Sequence, residues 1–183
     1  MKHFITLAAV LALAVAAPTK REDEDCCNDR AKNPEWTVHG LDYHASYIFT
    51  TPAHQNSWGY VNFNLTNTAV DYTVACSGDS DQLSDFFYGN MWYTCDTQEG
   101  IPPAYFRYDR PTGRVDLNQT WICPDPKYPT TYGAYGNATK ELECTDTTWQ
   151  NSNWTMGQIY SSRNVDCKLV DLVVEPSERW AVA

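Results

Sequence analysis

Apolar and polar side chains alternate along much of the chain, and this alternation predicts β-strands. In residues 58–65, Val61, Phe63 and Leu65 share one parity, whereas the residues between them are polar. Residues 70–76 repeat the pattern with an apolar or cysteine residue at every second position. The pattern is typical of an antiparallel sheet that covers a core with one face and meets water with the other.

Two further strands are predicted at 104–109 and 114–123, joined by a turn in which Asp109, Pro111 and Gly113 supply suitable backbone chemistry. Other candidate strands are 35–39, 43–50, 89–95, 141–144 and 165–174, and residues 124–137 are interpreted as a loop. No long amphipathic helix is visible. We therefore expect an all-β fold, a single antiparallel β-barrel or closed sandwich domain stapled by disulfides, since closure removes open strand edges.

The first 17 residues have the pattern of a secretory signal peptide. Lys2 and His3 precede an apolar run that ends in an A-x-A motif at 14–16. The run is shorter than the about 20 residues that span a bilayer. We expect secretion, a possible propeptide at 18–21 that ends at the dibasic pair Lys20-Arg21, an acidic flexible arm at 22–34 and a β-domain at 35–183. Two ordinary surface charges are the alternative interpretation of the dibasic pair.

The charge balance limits the classes of partner. The chain has 23 acidic and 13 basic residues, a formal net charge of −10. A protein of this charge repels phosphate backbones and anionic headgroups, so neither nucleic acid nor a membrane is an expected partner.

Cysteine usage indicates an oxidising compartment. The seven cysteines are Cys26, Cys27, Cys76, Cys95, Cys123, Cys144 and Cys167. Their order suggests the bridges Cys76–Cys95 and Cys123–Cys144, although sequence alone leaves the connectivity open. Cys167 could then pair with Cys26 or Cys27, and the other of those two would be left for a partner chain.

Four N-glycosylation sequons begin at Asn64, Asn118, Asn137 and Asn153. A modified asparagine must face solvent. Asn64 and Asn118 both fall on the polar side of their predicted strands, so the sequons and the strand patterns agree.

Several blocks resemble a known family. They are Trp36-Thr-Val-His, Cys76-Ser77 with Asp81-x-Leu83, Trp92-Tyr93-x-Cys95, and Arg107-Tyr-Asp-Arg followed by Gly113. These blocks are similar to those of the Alternaria major-allergen family of secreted fungal β-barrel proteins. The resemblance implies the bridges Cys76–Cys95 and Cys123–Cys144 and a disulfide-linked homodimer through an arm cysteine, Cys26 or Cys27. It also implies that the protein acts as an allergen, elicitor or effector and binds extracellular host proteins such as plant defence proteins. The family has no established catalytic centre.

The chain departs from the family pattern in three places: the adjacent arm cysteines, Cys167, and a longer segment at 145–164. These departures leave the dimer open, because Cys167 could consume the arm cysteine.

Sequence motifs for catalysis are absent. The chain has no G-x-S-x-G, H-E-x-x-H or phosphate-binding glycine loop. The histidines at 39, 44 and 54 are interpreted as surface residues, and the aspartates at 79, 81 and 85 as solvated loop acids. We expect no enzyme activity, no metal and no cofactor.

Aromatic residues are abundant, and most are expected to pack in the core or on the sheets. Phe87 and Tyr88 are predicted as surface contacts because the aromatic run 86–88 cannot all point inward. Tyr132 and Tyr135 are predicted as surface contacts because they lie in a segment rich in proline and glycine. We expect a secreted non-catalytic protein that binds an extracellular host protein or a small ligand. The alternatives are a carbohydrate-binding or cell-wall module and a secreted hydrolase.

Overall fold

Alternating burial along the strands builds two antiparallel sheets. A computed structural model of the protein describes residues 27–81, 86–96, 99–124 and 129–183. The predicted signal peptide, the segment 18–21 and Cys26 lie outside these residues, as does Asp85. The elements are α1 Cys27–Arg30, β1 Trp36–Thr51, β2 His54–Asn67, β3 Thr73–Ser80, β4 Tyr93–Thr94, β5 Ala104–Asp109, β6 Arg114–Cys123, β7 Thr130–Thr139, β8 Cys144–Gln150, β9 Ser161–Cys167, β10 Val170–Val174 and β11 Pro176–Val182.

Sheet A has the strand order β3-β2-β1-β9-β8, and β10 also pairs with β1. Sheet B has the order β11-β7-β6-β5-β4. The 16-residue strand β1 is long enough to pair with β10 near its start and with β9 near its end. The irregularity between these two parts lies at Gly40, where φ is +62°.

The fold is sandwich-like, and the expectation of a closed barrel is not met. The strand pairings of the described residues stay within one sheet or the other. Where the edges β3 and β4 meet, the sheets are joined by the Cys76–Cys95 bridge and by a hydrogen bond from the Asp96 N–H to the Ala75 carbonyl oxygen at 2.8 Å. At this edge the Cys76–Cys95 disulfide joins the two sheets, whereas in a closed barrel β3 and β4 would be paired by backbone hydrogen bonds.

The core lies between the inner faces of the two sheets. Its largest fully buried side chains include Trp36, Trp121, Phe86, Phe87 and Phe106. Gln119, only 1% exposed, accepts hydrogen bonds at its Oε1 from Nε1 of Trp36 at 2.7 Å and from Nδ2 of Asn67 at 2.9 Å. A buried amide that is paired in this way ties sheet B to sheet A.

The predicted strands 104–109 and 114–123 are confirmed, and 35–39 and 43–50 are two parts of β1. The loop predicted at 124–137 is wrong, because β7 begins at Thr130. Glycines suggested a loop there, yet Gly133 and Gly136 let β11 pack closely on β7. A Cβ on Gly133 would lie 2.1 Å from the Trp180 ring.

The disulfide Cys76–Cys95 is confirmed, but the Cys123–Cys144 pairing is wrong. Cys123 bonds to Cys27, and Cys144 bonds to Cys167, its direct partner in the β8–β9 ladder. The reason is the course of β7. It carries the chain back along β6 for ten residues, about 30 Å, so Cys144 follows β7 at the far end of β6 from Cys123.

The segment that follows Cys27 is held against the domain. The four-residue helix α1 is anchored by the Cys27–Cys123 bridge, and Ala31 is buried in the core. Cys27 is therefore consumed within the chain, and so is Cys167. Of the seven cysteines, the bridges leave Cys26, which lies outside the described residues.

Candidate binding face and cleft

The four aromatic residues predicted as surface contacts do not form one surface. Phe87 is 1% exposed and packs edge-on against Tyr43 at 5.8 Å, so its prediction as a surface contact is wrong. The backbone explains the burial, because Phe87 adopts a φ of +52° and both Phe86 and Phe87 turn inward. Tyr88 alone of this run is exposed.

The two predicted tyrosines of β7 face opposite sides of sheet B. Tyr132 stacks on the buried Trp121 at 6.0 Å and donates a hydrogen bond to Oδ1 of Asn28. Tyr135 lies on the outer side and donates its hydroxyl to Oδ1 of Asp116 at 2.6 Å. Both hydroxyls are therefore occupied by contacts within the chain.

The outer side of sheet B carries a compact charge cluster around Asp116. This carboxylate is 2% exposed and accepts hydrogen bonds from Arg107 and Arg114 as well as from Tyr135. Burial alone would raise the pKa of Asp116, but the hydrogen bonds from Tyr135, Arg114 and Arg107 outweigh burial and lower the pKa. Both arginines of this face thus share one carboxylate, and the cluster keeps one positive charge in excess.

All four sequon asparagines are exposed. Asn118 and Asn137 both lie on the outer side of sheet B, and Asn118 is directly opposite Tyr135 in the β6–β7 ladder. Glycans on these two residues would cover that side of the molecule.

The outer side of sheet A combines aromatic rings with carboxylates. We call it the acidic aromatic face, formed by Asp42, His44, Trp58, Tyr60, Asp79, Trp149 and Asp166. The register places Asp79, Tyr60, His44 and Asp166 in one row across β3, β2, β1 and β9. Trp58 and Trp149 are 47% and 51% exposed.

His44 organises the centre of this face. Its ring stacks on Tyr60 at 5.3 Å and lies 4.8 Å from the Trp58 ring. Nδ1 of His44 is 2.6 Å from Oδ1 of Asp166, within hydrogen-bond distance. Burial and the nearby Asp42 carboxylate raise the pKa of Tyr60, so its hydroxyl stays a hydrogen-bond donor.

The acidic aromatic face carries no basic side chain to balance its acids. Strands β1, β2, β3, β8 and β9 contain one arginine and no lysine. That residue, Arg163, pairs with Tyr47 and Thr148 in the ladders and points to the other side of the sheet. The described residues of the face therefore include three carboxylates, Asp42, Asp79 and Asp166, and no lysine or arginine.

A cleft opens between β1 and β9 of sheet A and the β5–β6 turn and the segment that follows β7. The cavity has a volume of about 670 Å³. Its walls include the rings of Tyr43, Tyr47 and Tyr108 and the apolar side chains of Leu142 and Val165. Arg110, Arg163 and Glu141 are its charged lining residues.

The two arginines of the cleft differ in their partners. Arg163 forms a bidentate ion pair with Asp146 and lies 5.6 Å from the Tyr47 ring. Arg110 donates to the hydroxyls of Tyr47 and Tyr88, which are neutral groups, and lies 5.0 Å from the Tyr88 ring. Of the two arginines in the cleft, Arg163 is therefore neutralised by Asp146, whereas Arg110 forms no ion pair with a described residue.

Sequence reasoning missed the acidic aromatic face, although one signal for it was present. Trp58 and Tyr60 have the same strand parity as the sequon residue Asn64, which must face solvent. Because Trp58 lies an even number of residues from Asn64 on the same strand, a solvent-facing Asn64 implies a solvent-facing Trp58. The neighbours His44 and Asp166 carry no such signal, because they are 122 residues apart in the chain.

In the parts of the chain that the structure describes, no three histidine, cysteine or acidic side chains are arranged to hold a metal ion. No helix within the same residues is long and apolar enough to cross a membrane.

Comparison with known proteins gives one finding. A family model described as Alternaria alternata allergen 1 matches residues 38–167. The match covers the strands from β1 to β9 and both sides of the cleft. No curated protein matches the chain, and no solved structure does.

Proposed function

Because the chain belongs to the Alternaria alternata allergen 1 family, we propose that it is a secreted, non-catalytic binding protein that acts on an extracellular host protein. The three disulfides support an extracellular location, since such bonds persist in oxidising compartments. The signal-peptide pattern of the first 17 residues supports it independently.

The observation that carries the proposal is the exposure of Trp58 and Trp149 on the outer side of sheet A. Tryptophan is enriched at the energetic centres of protein interfaces. Each of these rings leaves about half of its surface in water, 47% and 51% respectively. Trp58 is grouped with the rings of His44 and Tyr60, and exposed rings grouped in this way are typical of a surface that a partner covers.

The charge of this face defines the chemistry of the partner. Asp79 and Asp166 lie in the row next to that of Trp58, and Asp42 lies one row further on. No lysine or arginine points outward from the same strands. A basic protein surface complements these acids and would be steered toward them by the net charge of −10. We therefore propose a cationic extracellular protein, such as a basic plant defence protein.

The sequons are distributed in a way that fits this assignment. Asn118 and Asn137 lie on the outer side of sheet B, so their glycans would shield that side. Asn64 is on the outer side of sheet A, one ladder step beyond the row that contains Asp42 and Asn62. Asn153 follows β8 in the connection to β9. The centre of the acidic aromatic face carries no sequon.

A sugar-binding function is a second candidate, because aromatic rings beside carboxylates and amides can also bind a saccharide. Trp58, Tyr60 and the amides of Asn62 and Asn164 lie on the same side of sheet A. A glycan array with the purified protein tests this candidate directly. Binding there that depends on Trp58 would assign the face to carbohydrate.

The experiment for the leading proposal is capture from the extracellular fluid of plant leaves. The wild-type protein and the double variant Trp58→Ala/Trp149→Ala are immobilised in parallel. Trp180→Ala is the matched control, since Trp180 is 50% exposed on β11 of the other sheet. We expect the wild type and the control to retain the same basic protein, and the double variant to lose it. Equal retention by all three would contradict the assignment of the face.

A further inference from the structure

The cleft is separate from the acidic aromatic face, because it opens on the opposite side of sheet A. We propose that it binds a small organic carboxylate with a flat, apolar body. Arg110 would bind the carboxylate, and the Tyr43 hydroxyl would donate a further hydrogen bond. This site does not depend on the protein partner proposed above.

Arg110 is prepared to bind an anion. Two of the five donor hydrogens of its guanidinium are used by the hydroxyls of Tyr47 and Tyr88. Its position is fixed further by the rings of Tyr88 at 5.0 Å and Phe86 at 5.8 Å. The ion pairs of the described residues do not include Arg110. A carboxylate would supply the missing charge in a bidentate geometry.

Tyr43 provides a second and independent indication of a ligand. Its side chain lines the cleft while the residue is 2% exposed, and among the described residues its buried hydroxyl has no partner in hydrogen-bond geometry, although the Tyr47 hydroxyl lies nearby. An unsatisfied buried hydroxyl costs free energy that a bound acceptor would recover. Burial, reinforced by the neighbouring Tyr47, raises the pKa of Tyr43, so the hydroxyl keeps its proton and can donate a hydrogen bond to an anion.

The remaining lining limits the ligand to a small monoanion. Arg163 is neutralised by Asp146, and Glu141 is exposed in the same lining, so a second negative charge would meet no free cation. The cavity of about 670 Å³ lies within the range of small-molecule sites, roughly 300–1,000 Å³. The rings of Tyr47 and Tyr108 with Leu142 and Val165 provide apolar walls for a flat body.

Benzoate is a suitable probe, and benzamide is its neutral counterpart of the same shape. Titration of the full secreted protein, followed by NMR chemical shifts, gives both affinities without any substitution. We expect benzoate to shift the signals of cleft residues and benzamide to bind at least about tenfold more weakly. Equal affinities, or benzoate shifts elsewhere only, would overturn the proposal.

Substitutions then assign the contacts. Arg110→Gln should weaken benzoate binding by about 10- to 100-fold, whereas Arg179→Gln, an equal change of charge on β11, should leave it unchanged. Tyr43→Phe should weaken binding by about fivefold or more without lowering the melting temperature of the free protein, because it removes an unsatisfied hydroxyl. Benzoate binding that survives both cleft substitutions would overturn the proposal. Acetyl-glutamate amide, a model of an acidic protein side chain, should bind more weakly than benzoate, and tighter binding would likewise contradict a small-molecule site.

Discussion

His44 and Asp166 lie directly opposite each other on β1 and β9, with Nδ1 of the imidazole 2.6 Å from Oδ1 of the carboxylate. This contact fixes the imidazole ring, against which Trp58 and Tyr60 pack. The aromatic rings of the face are therefore positioned before any partner arrives. A surface that is organised in advance loses less side-chain entropy when it binds.

Replacing Asp166 with asparagine keeps the shape of the face and removes one of its charges. We expect the affinity for the basic partner to fall by about fivefold at low salt, and by less at 1 M salt, where surface charges are screened. The change should appear mainly in the association rate measured by surface plasmon resonance. Glu178→Gln on β11 is the control of equal charge, and an equal effect from it would indicate net charge rather than the face.

The Cys27–Cys123 bridge should be the most stabilising of the three. It joins residues 96 apart, whereas Cys144–Cys167 joins residues 23 apart. Loss of the longer link frees more of the unfolded chain, so we expect Cys27→Ser/Cys123→Ser to cost about 4–5 kcal/mol and Cys144→Ser/Cys167→Ser about 3 kcal/mol. Urea denaturation of both double variants gives the two free energies of unfolding. The reverse order would contradict this account of the fold.

Asp116 should contribute to acid sensitivity. Its pKa is lowered in the folded protein, since the hydrogen bonds from Tyr135, Arg114 and Arg107 outweigh burial. A lowered folded-state pKa stabilises the protein above the unfolded value of about 3.9, and this stability is lost as the pH falls through the folded-state pKa.

The variant Asp116→Asn should therefore be less stable than the wild type at neutral pH, by about 2 kcal/mol, and the difference should shrink on acidification below about pH 4. Thermal unfolding at several pH values measures the difference. Asp71→Asn is the control, because Asp71 also pairs with an arginine, Arg30, but its side chain is 83% exposed. A difference for Asp116→Asn that stays constant with pH would contradict the assigned role.

A comparison of Gly113→Ala with Gly157→Ala distinguishes the cost of backbone strain from the cost of a steric clash. Both have positive φ, +67° and +95°. A Cβ on Gly113 would lie 2.1 Å from the Lys140 carbonyl oxygen, whereas a Cβ on Gly157 would meet nothing within 4 Å. We expect Gly157→Ala to cost about 1–2 kcal/mol and Gly113→Ala clearly more. Equal losses in chemical denaturation would mean that the β5–β6 turn does not pack against Lys140.

The alternation of apolar and polar residues predicted those strands that have one buried face and one exposed face. Strand β5 alternates throughout and β6 alternates except at the buried Asp116, and the turn residues between them define the hairpin. Strand β7 was missed because its glycines serve close packing of β11 rather than a turn. The Cys123 partner was missed for a related reason, since the direction of β7 decides which end of the sheet Cys144 reaches.

The binding face depends on pairings that local pattern does not contain. Trp58 and Tyr60 follow from strand parity with Asn64, but Asp166 reaches His44 only because β9 pairs with β1. The cleft arises in the same way, because Tyr43 on β1 and Arg110 after β5 belong to different sheets. Such sites require knowledge of which strands are neighbours.

The central claim is that the acidic aromatic face binds a basic extracellular protein. The most direct test is the dissociation constant of the purified captured partner for the wild type, Trp58→Ala and Trp180→Ala. We expect Trp58→Ala to weaken binding by about 2 kcal/mol or more, roughly 30-fold, and Trp180→Ala to leave it within about twofold. Equal affinities for Trp58→Ala and the wild type would contradict the claim and place the partner on another surface.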